Sequence, residues 1–253
     1  MGWIKRHFET VLAPVLVAGL YAALVLSAGA GTTAQVVAAM FFLVVLALWL
    51  SFRRLRVHAA ASRLAAIGDP DGLLKLVERE LPRRLVPATR TPLYIFRAMG
   101  HNLRGDWAEA RRALDAADIK PGQRASRSWH LLWAAADIHT RTATGDAAGA
   151  RVSYDKLVAP FRKLIPGAGV ELIALVCEAR LALVDGDPAG ARERIAPLVK
   201  DIRLGSAARG QLYALLAEAA TAEGDDAAAA EHAAAARKLA PRCHLLADAR
   251  PST

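Results

Sequence analysis

A Gly-Asp pair recurs five times at nearly even intervals along this chain of 253 residues. No other feature constrains the fold as strongly. The copies are Gly68-Asp69, Gly105-Asp106, Gly145-Asp146, Gly186-Asp187 and Gly224-Asp225. Successive copies stand 37, 40, 41 and 38 residues apart. Recurrence at this spacing is typical of a repeat array, in which each repeat buries its apolar face against its neighbours.

Each Gly-Asp pair is predicted to form a corner between two helices. The glycine can close one helix in the left-handed conformation, and the aspartate can accept hydrogen bonds from the exposed N–H groups of the next. Asp69 and Asp187 are each followed by proline, which is favoured at the first position of a helix. Asp106 and Glu109 have the spacing of a capping box. The sequence therefore predicts a series of antiparallel helical hairpins.

Small residues flank these corners and predict close packing of the two arms of each hairpin. Alanines lie five residues after four of the glycines, namely Ala110, Ala150, Ala191 and Ala229. Alanines also occur seven residues before a glycine, at Ala98, Ala179 and Ala217. At the third corner the position seven before the glycine holds Ile138, and Ala136 is the expected substitute.

Two stretches, from Gly105 to Leu114 and from Gly224 to Pro241, resemble tetratricopeptide repeats. The resemblance covers roughly residues 55–241 and implies an all-α solenoid of about four to five repeats. It also implies that the first helix of each repeat lines a concave face, which can hold a segment of a partner polypeptide.

In the repeat frame, the residues three and six positions before the second to fifth glycines are expected to line this concave face. They form the predicted partner-binding groove: Met99, Asn102, His139, Thr142, Arg180, Leu183, Glu218 and Thr221. A solvated helix face without any ligand is the alternative interpretation of these positions. The Lys and Asn clamp by which some members of the family hold an acidic C-terminal peptide is not matched in this sequence.

Two uncharged apolar runs precede the repeats, from Val11 to Ala28 and from Ala34 to Phe52. Each is about the 17 to 25 residues that a helix needs to cross a bilayer. We therefore expect residues 1–54 to be a membrane anchor of two transmembrane helices, at about 9–28 and 34–52. Cleavage of the first span as a signal peptide is the alternative.

The orientation follows from the charges around these runs. The loop 29–33 has no Lys or Arg, whereas basic residues precede the first run and follow the second: Lys5 and Arg6, then Arg53, Arg54, Arg56 and Arg63. The positive-inside rule then predicts a multi-pass protein of the inner membrane with both termini in the cytoplasm. Because residues 32–67 contain no glycine or proline, the second span could run on into the first repeat as one helix; a break within 53–58 is the alternative.

The net charge of +9 is concentrated beside the predicted membrane anchor. Basic residues next to a span favour anionic lipid headgroups near residues 53–63, and no nucleic acid is expected as a partner. Cys177 and Cys243 make no disulfide framework and are predicted to be buried thiols. The seven histidines lack metal-ligand spacing, so neither a metal nor a cofactor is expected.

These observations together predict a membrane-anchored adaptor or scaffold, not an enzyme, which binds a protein or peptide partner at the cytoplasmic face. A homo-oligomer is left open, and residues 242–253 are predicted to be a disordered tail. Two alternatives remain. The layout is similar to HemY-type proteins, which implies an association with tetrapyrrole metabolism, and a small-molecule or enzymatic site could form across repeats.

Overall fold

The computed structural model describes residues 19, 32–83, 89–117, 119, 127–164, 168–201 and 204–243. These residues form helices and turns and include no strand, which confirms the all-α class. The chain divides into two compact units, Met1–Ala59 and Ala60–Thr253. About ten helical segments are described, almost all of them in the second unit.

The first helix, α1, is Thr32–Ala66, and it has no break within residues 53–58. Between residues 36 and 55 most of its large apolar side chains are exposed, including Phe41, Leu48 and Leu55. In the part of the chain that the structure describes, no helix is both long and apolar enough to count as a membrane span. The span predicted at 9–28 lies outside the described residues except for Gly19. Membrane insertion is therefore not confirmed and stays a prediction.

The second unit continues as a series of shorter helices. In chain order they are α2 (Pro70–Glu80), α3 (Thr91–Arg104), α4 (Trp107–Ala117), α5 (Arg127–Ala143), α6 (Ala147–Ser153), α7 (Ala159–Leu164), α8 (Ala168–Val184), α9 (Pro188–Ile195), α10 (Ser206–Glu223) and α11 (Asp226–Leu239). A π-helical turn, Tyr154–Val158, joins α6 to α7. Short 3₁₀ turns, Leu81–Arg83 and Leu198–Lys200, follow α2 and α9.

The helices pack as hairpins: α3 against α4, α5 against α6, α8 against α9, and α10 against α11. The first arms also pack side by side, α3 on α5, α5 on α8 and α8 on α10. The first arms thus form a continuous layer, and this layer positions the candidate site.

All five Gly-Asp corners share one backbone geometry. The glycine φ angles lie between 66° and 81°, in the left-handed region that a side chain disfavours. At each corner the glycine N–H donates to the carbonyl three residues back and the aspartate N–H to the carbonyl five back, as Asp146 does to Arg141 at 2.8 Å. This pair of bonds is the Schellman motif, which satisfies the last carbonyls of the finishing helix. The predicted corners are confirmed.

Four of the corner aspartates also cap the next helix. The carboxylates of Asp69, Asp146, Asp187 and Asp225 accept from the N–H three residues on, at 2.9 to 3.0 Å. Asp106 differs, because its carboxylate lies 3.5 Å from Nδ1 of His101 on the preceding helix. Glu109 pairs with Arg112 instead of reaching back. The capping box predicted for Asp106 and Glu109 is therefore wrong.

The flanking alanines lie at the helix contacts, as predicted for the central hairpins. Five of them are fully buried: Ala98, Ala110, Ala150, Ala179 and Ala191. Ala217 and Ala229, in the last hairpin, are half-buried. At the third corner Ile138 itself occupies the position, since it is fully buried and packs with the small Ala150. The expected substitute, Ala136, packs instead with Ala98 of the preceding hairpin.

The last hairpin contacts the first corners of the same unit. Leu103 on α3 packs with Ala236, Ala240 and Cys243. The Sγ of Cys243 lies 3.5 Å from the Leu103 carbonyl oxygen, and Nη1 of Arg242 donates to Asp69 at 3.1 Å. The two ends of the helical series therefore meet, and we call these contacts the closing contact.

The closing contact bears on two of the predictions. Of the residues predicted to begin a disordered tail, Cys243 is packed and the exposed Arg242 pairs with Asp69, while residues 244–253 lie outside the described residues. Both cysteines are free and buried, as predicted.

Candidate functional site

The first arms of the hairpins enclose a cavity of about 260 Å³. Side chains from α3, α5, α8 and α10, together with Ala65 near the end of α1, line it. Most of these side chains are aliphatic, such as Leu132, Val176 and Leu212. The polar ones are few: Asn102, His139, Arg180 and Gln211. An apolar pocket with a few converging polar groups is the usual form of a ligand site.

Four of the residues predicted for the groove line this one cavity: Met99, Asn102, His139 and Arg180. They come from three successive first arms, α3, α5 and α8. The structure thus brings together side chains that are up to 81 residues apart in the sequence. Their role in binding a partner stays a prediction.

The other predicted groove positions lie away from the cavity lining. The hydroxyl of Thr142 donates to the Ile138 carbonyl at 2.9 Å, and that of Thr221 donates to the Ala217 carbonyl at 3.0 Å. Leu183 packs in the apolar core of the α8–α9 hairpin. Glu218 stays solvent-accessible and acts on the cavity through its charge.

Two cavity residues, Cys177 and Gln211, are missing from the predicted groove. Cys177 lies three residues before Arg180, and Gln211 lies seven before Glu218, so each shares a helix face with a predicted position. Extending the projection by one or two turns toward the start of each first arm would have found both. Burial raises the pKa of the Cys177 thiol to about 12, so it stays protonated near neutral pH.

Arg180 is the only charged residue among the described ones that line the cavity. Its guanidinium makes no hydrogen bond or salt bridge with any described residue. Burial lowers the pKa of Arg180, and the charge of Glu218 partly opposes this shift. Partial desolvation raises the pKa of the solvent-accessible Glu218, against the attraction of Arg180. The two charges attract each other, but they are not in contact.

His139 lies beside this charge and is held neutral. The residue is only 9% exposed, and its ring centroid lies 5.4 Å from that of Trp107 on α4. Burial lowers the pKa of His139 well below its ordinary value, and the positive charge of Arg180 lowers it further. Its ring nitrogens make no hydrogen bond within the described part of the chain. A neutral imidazole can donate through one nitrogen and accept through the other.

Asn102, by contrast, has its amide groups occupied within the fold. Its Nδ2 donates to the Ala136 carbonyl at 3.1 Å, and its Oδ1 lies 2.9 Å from the hydroxyl of Thr140. These bonds join α3 to α5. Asn102 therefore holds the wall of the cavity in place and leaves Arg180, His139 and Gln211 as the polar groups open to a ligand.

A second polar cluster on α5 also has a structural part. Asp137 is fully buried, and its carboxylate accepts from Arg111 at 2.7 Å, from Arg141 at 2.7 Å and from Ser153 at 2.6 Å. These partners lie on α4, α5 and α6. The cluster ties a hairpin to its neighbour and is fully paired, so it offers nothing to a ligand.

The basic residues predicted beside the membrane lie along α1. The guanidinium carbons of Arg53 and Arg56 lie over the rings of Trp49 and Phe52, at 5.9 and 5.3 Å from the ring centroids. Arg54 and Arg63 are exposed. Arg53 and Arg56 thus pair with aromatic neighbours, whereas Arg54 and Arg63 extend into solvent.

No group of His, Cys, Asp and Glu within the described ranges could hold a metal ion. No family model, curated protein or solved structure matches the chain.

Proposed function

We propose that this chain is a membrane-anchored adaptor with tetratricopeptide-like repeats, which binds a segment of a partner protein on the surface formed by its first arms. The observation that carries the proposal is the convergence of Met99, His139 and Arg180, from three successive first arms, on one cavity. Packed helical hairpins offer such a surface because each repeat adds one helix to it. A non-catalytic function is proposed because the cavity nucleophile, Cys177, is held as a thiol.

The repeat assignment is supported by the five corners. Each has a left-handed glycine, the same two backbone bonds and a neighbouring aspartate. A sequence that repeats one corner geometry at this spacing builds similar hairpins, and similar hairpins stack into an array.

The membrane anchor is supported by the sequence and by the chemistry of α1. The uncharged run from Ala34 to Phe52 ends in an arginine pair, Arg53-Arg54. Arg53 and Arg56 lie over aromatic rings, and aromatic and basic side chains together are typical of a membrane interface. In the proposal this end of the anchor faces anionic headgroups of the cytoplasmic leaflet. A tethered adaptor raises the local concentration of its partner at the bilayer.

Photocrosslinking in the native cell tests partner binding. A benzoylphenylalanine placed at Met99 reports on the cavity, and one placed at the exposed Arg112 on α4 serves as the matched control. The expected result is a discrete protein adduct from position 99 that is absent from position 112. Identical adducts from both positions, or none from 99, would refute the assigned binding surface.

The same crosslinking can be repeated with His139, Arg180 and Glu218 replaced together by Gln. Loss of the adduct, with an unchanged helical circular dichroism spectrum, is expected. Reporter fusions at both chain ends test the topology. Cytoplasmic activity at both ends is expected, and periplasmic activity at the C-terminal fusion would overturn the proposed location.

A further inference from the structure

We infer that the cavity is a binding site for a small apolar carboxylate, with Arg180 binding the carboxylate and His139 hydrogen-bonded beside it. The inference rests on the proposed function in one respect, since the same surface is assigned to a partner there. It goes further by naming the chemical group that enters the cavity.

Arg180 is partly exposed and carries its positive charge on the wall of a largely apolar cavity. Charges in apolar surroundings are normally paired with an opposite charge, because loss of contacts with water is otherwise unfavourable. Arg180 has no such partner among the described residues, and Glu218 acts on it only at a distance. A guanidinium presents parallel N–H groups that match the two oxygens of a carboxylate. An anion of this kind would satisfy it.

His139 gives a second, independent indication of a ligand. Buried polar groups nearly always have a hydrogen-bond partner. His139 is only 9% exposed and lines the cavity, and its ring nitrogens, which solvent still reaches, bond to no described residue. Because burial and the charge of Arg180 keep the ring neutral, it can donate one hydrogen bond without adding a second charge. Arg180, His139 and Gln211 thus offer polar groups to a ligand in one small cavity.

The other side chains that line the cavity determine which chemical group the carboxylate can carry. It consists largely of aliphatic side chains from four helices, such as Leu132, Ile173 and Leu212. The volume of about 260 Å³ is near the lower end for small-molecule pockets. A short branched or straight aliphatic group fits these walls. A phosphate does not, because a dianion in an apolar cavity needs more than one cation, and among the described lining residues Arg180 is the only one.

The probe is 4-methylpentanoate, and its matched neutral control is 4-methylpentanamide. The full chain is reconstituted in lipid nanodiscs, and empty nanodiscs correct for partition of the probe into lipid. Binding is measured by saturation-transfer NMR and by titration calorimetry. The acid is expected to bind at least tenfold more tightly than the amide. Equal affinity of the two, or no binding of the acid, overturns the inference.

Variants assign the binding to Arg180. Arg180→Gln is expected to weaken the acid at least tenfold and to leave the weak binding of the amide unchanged. Arg192→Gln is the matched control, since that arginine is exposed on α9 and pairs with Glu223. A His139→Gln variant should weaken the acid less than Arg180→Gln does. Unchanged affinity in a folded Arg180→Gln variant overturns the inference.

The carboxylate can come from a free acid or from the carboxyl terminus of a polypeptide. A pentapeptide ending in leucine, with a free carboxylate or a C-terminal amide, separates the two sources when it competes with the acid. Competition by the free-ended peptide alone supports the inference with a chain terminus as the source. Competition by neither peptide, with the acid still bound, supports it with a small acid as the source. Competition by both peptides equally overturns the role of the carboxylate.

The inference and the proposed function can fail separately. If the crosslinked adduct at Met99 persists in Arg180→Gln while the acid never binds, the adaptor function stands and the carboxylate site is wrong. If the acid binds through Arg180 and no protein adduct forms, the carboxylate site stands and the adaptor function is wrong.

Discussion

Lowering the pH from 7.5 to 5.5 should destabilise this protein through one side chain, His139. Burial lowers the pKa of His139 well below its ordinary value of about 6.5. In the unfolded chain the imidazole binds a proton as the pH falls through about 6.5, whereas in the folded chain it does not. Stability is therefore fully present above about pH 6.5 and is lost progressively below it. The loss ends only at the lowered pKa of the folded state.

The size of this loss follows from linkage. Each pH unit between the two pKa values costs about 1.4 kcal/mol. The interval from pH 7.5 to 5.5 costs up to about 1.4 kcal/mol in total, a limit reached when the folded ring stays neutral throughout, because the unfolded imidazole is only partly charged near its own pKa. The groups that face the ring are the guanidinium of Arg180 on α8 and the indole of Trp107 on α4. Arg180 repels a protonated imidazole, and Trp107 carries no charge that could balance it.

The assay is urea unfolding of the full chain, followed by circular dichroism at the two pH values. The wild type should lose up to about 1.4 kcal/mol more than His139→Gln does between them. His101, whose pKa burial also lowers, remains in both proteins and cancels in the comparison. Lost packing against Trp107 affects the variant equally at both pH values. Equal losses in the two proteins would refute the reasoning, because they would mean that His139 can charge in place.

Four further predictions concern the fold. Gly145→Ala should lower the free energy of unfolding by about 1 to 2 kcal/mol through backbone strain alone, because φ is +79° and an added Cβ meets nothing within 4 Å. Urea unfolding measures this loss, and Gly145→Asn should show a smaller one. Asp137→Asn should lower the free energy of unfolding by about 2 kcal/mol, because it weakens the charge-assisted hydrogen bonds from Arg111 and Arg141, which keep only their more exposed partners Asp115 and Asp146; the shift in the urea midpoint measures it. Leu103→Ala should lower the free energy of unfolding by about 3 kcal/mol and speed amide hydrogen exchange in both α3 and α11, because the Leu103 side chain joins these two helices. Faster exchange in α3 alone would contradict the closing contact. Hydrogen bonds from the Gly149 N–H and from Arg141 lower the pKa of Asp146. The ionised carboxylate therefore stabilises the folded state above about pH 4, and this contribution is lost as the pH falls further. Asp146→Asn should accordingly show a shallower acid unfolding curve than the wild type.

The corners were predictable because their cause is local. A left-handed residue followed by a capping side chain involves only neighbouring backbone groups, and Gly145-Asp146 shows both in the sequence itself. Asp106 shows the limit of such reasoning. Its local pattern fitted a capping box, but His101 on the preceding helix contacts the carboxylate. Competition from the tertiary structure is invisible to a local motif.

The site was predictable in part for a related reason. The frame of a helical hairpin fixes which face looks inward, so His139 and Arg180 could be placed on one surface. Whether those side chains are paired could not be predicted, because pairing depends on contacts between distant helices. The same holds for Asp137, whose partner Arg111 is 26 residues away. Whether a charged side chain is paired depends on which helices pack against it in the folded protein.

The closing contact can form only late in the synthesis of this protein. The Leu103 carbonyl and the Cys243 thiol are 140 residues apart in the chain. The first hairpins therefore leave the ribosome long before the segment that covers them exists, and until then Leu103 is exposed. An open array tolerates loss of its last repeat, since each repeat depends only on its neighbours. Here a shortened chain would uncover the beginning of the array as well as its end, so nascent chains stalled before residue 236 should be clients of chaperones.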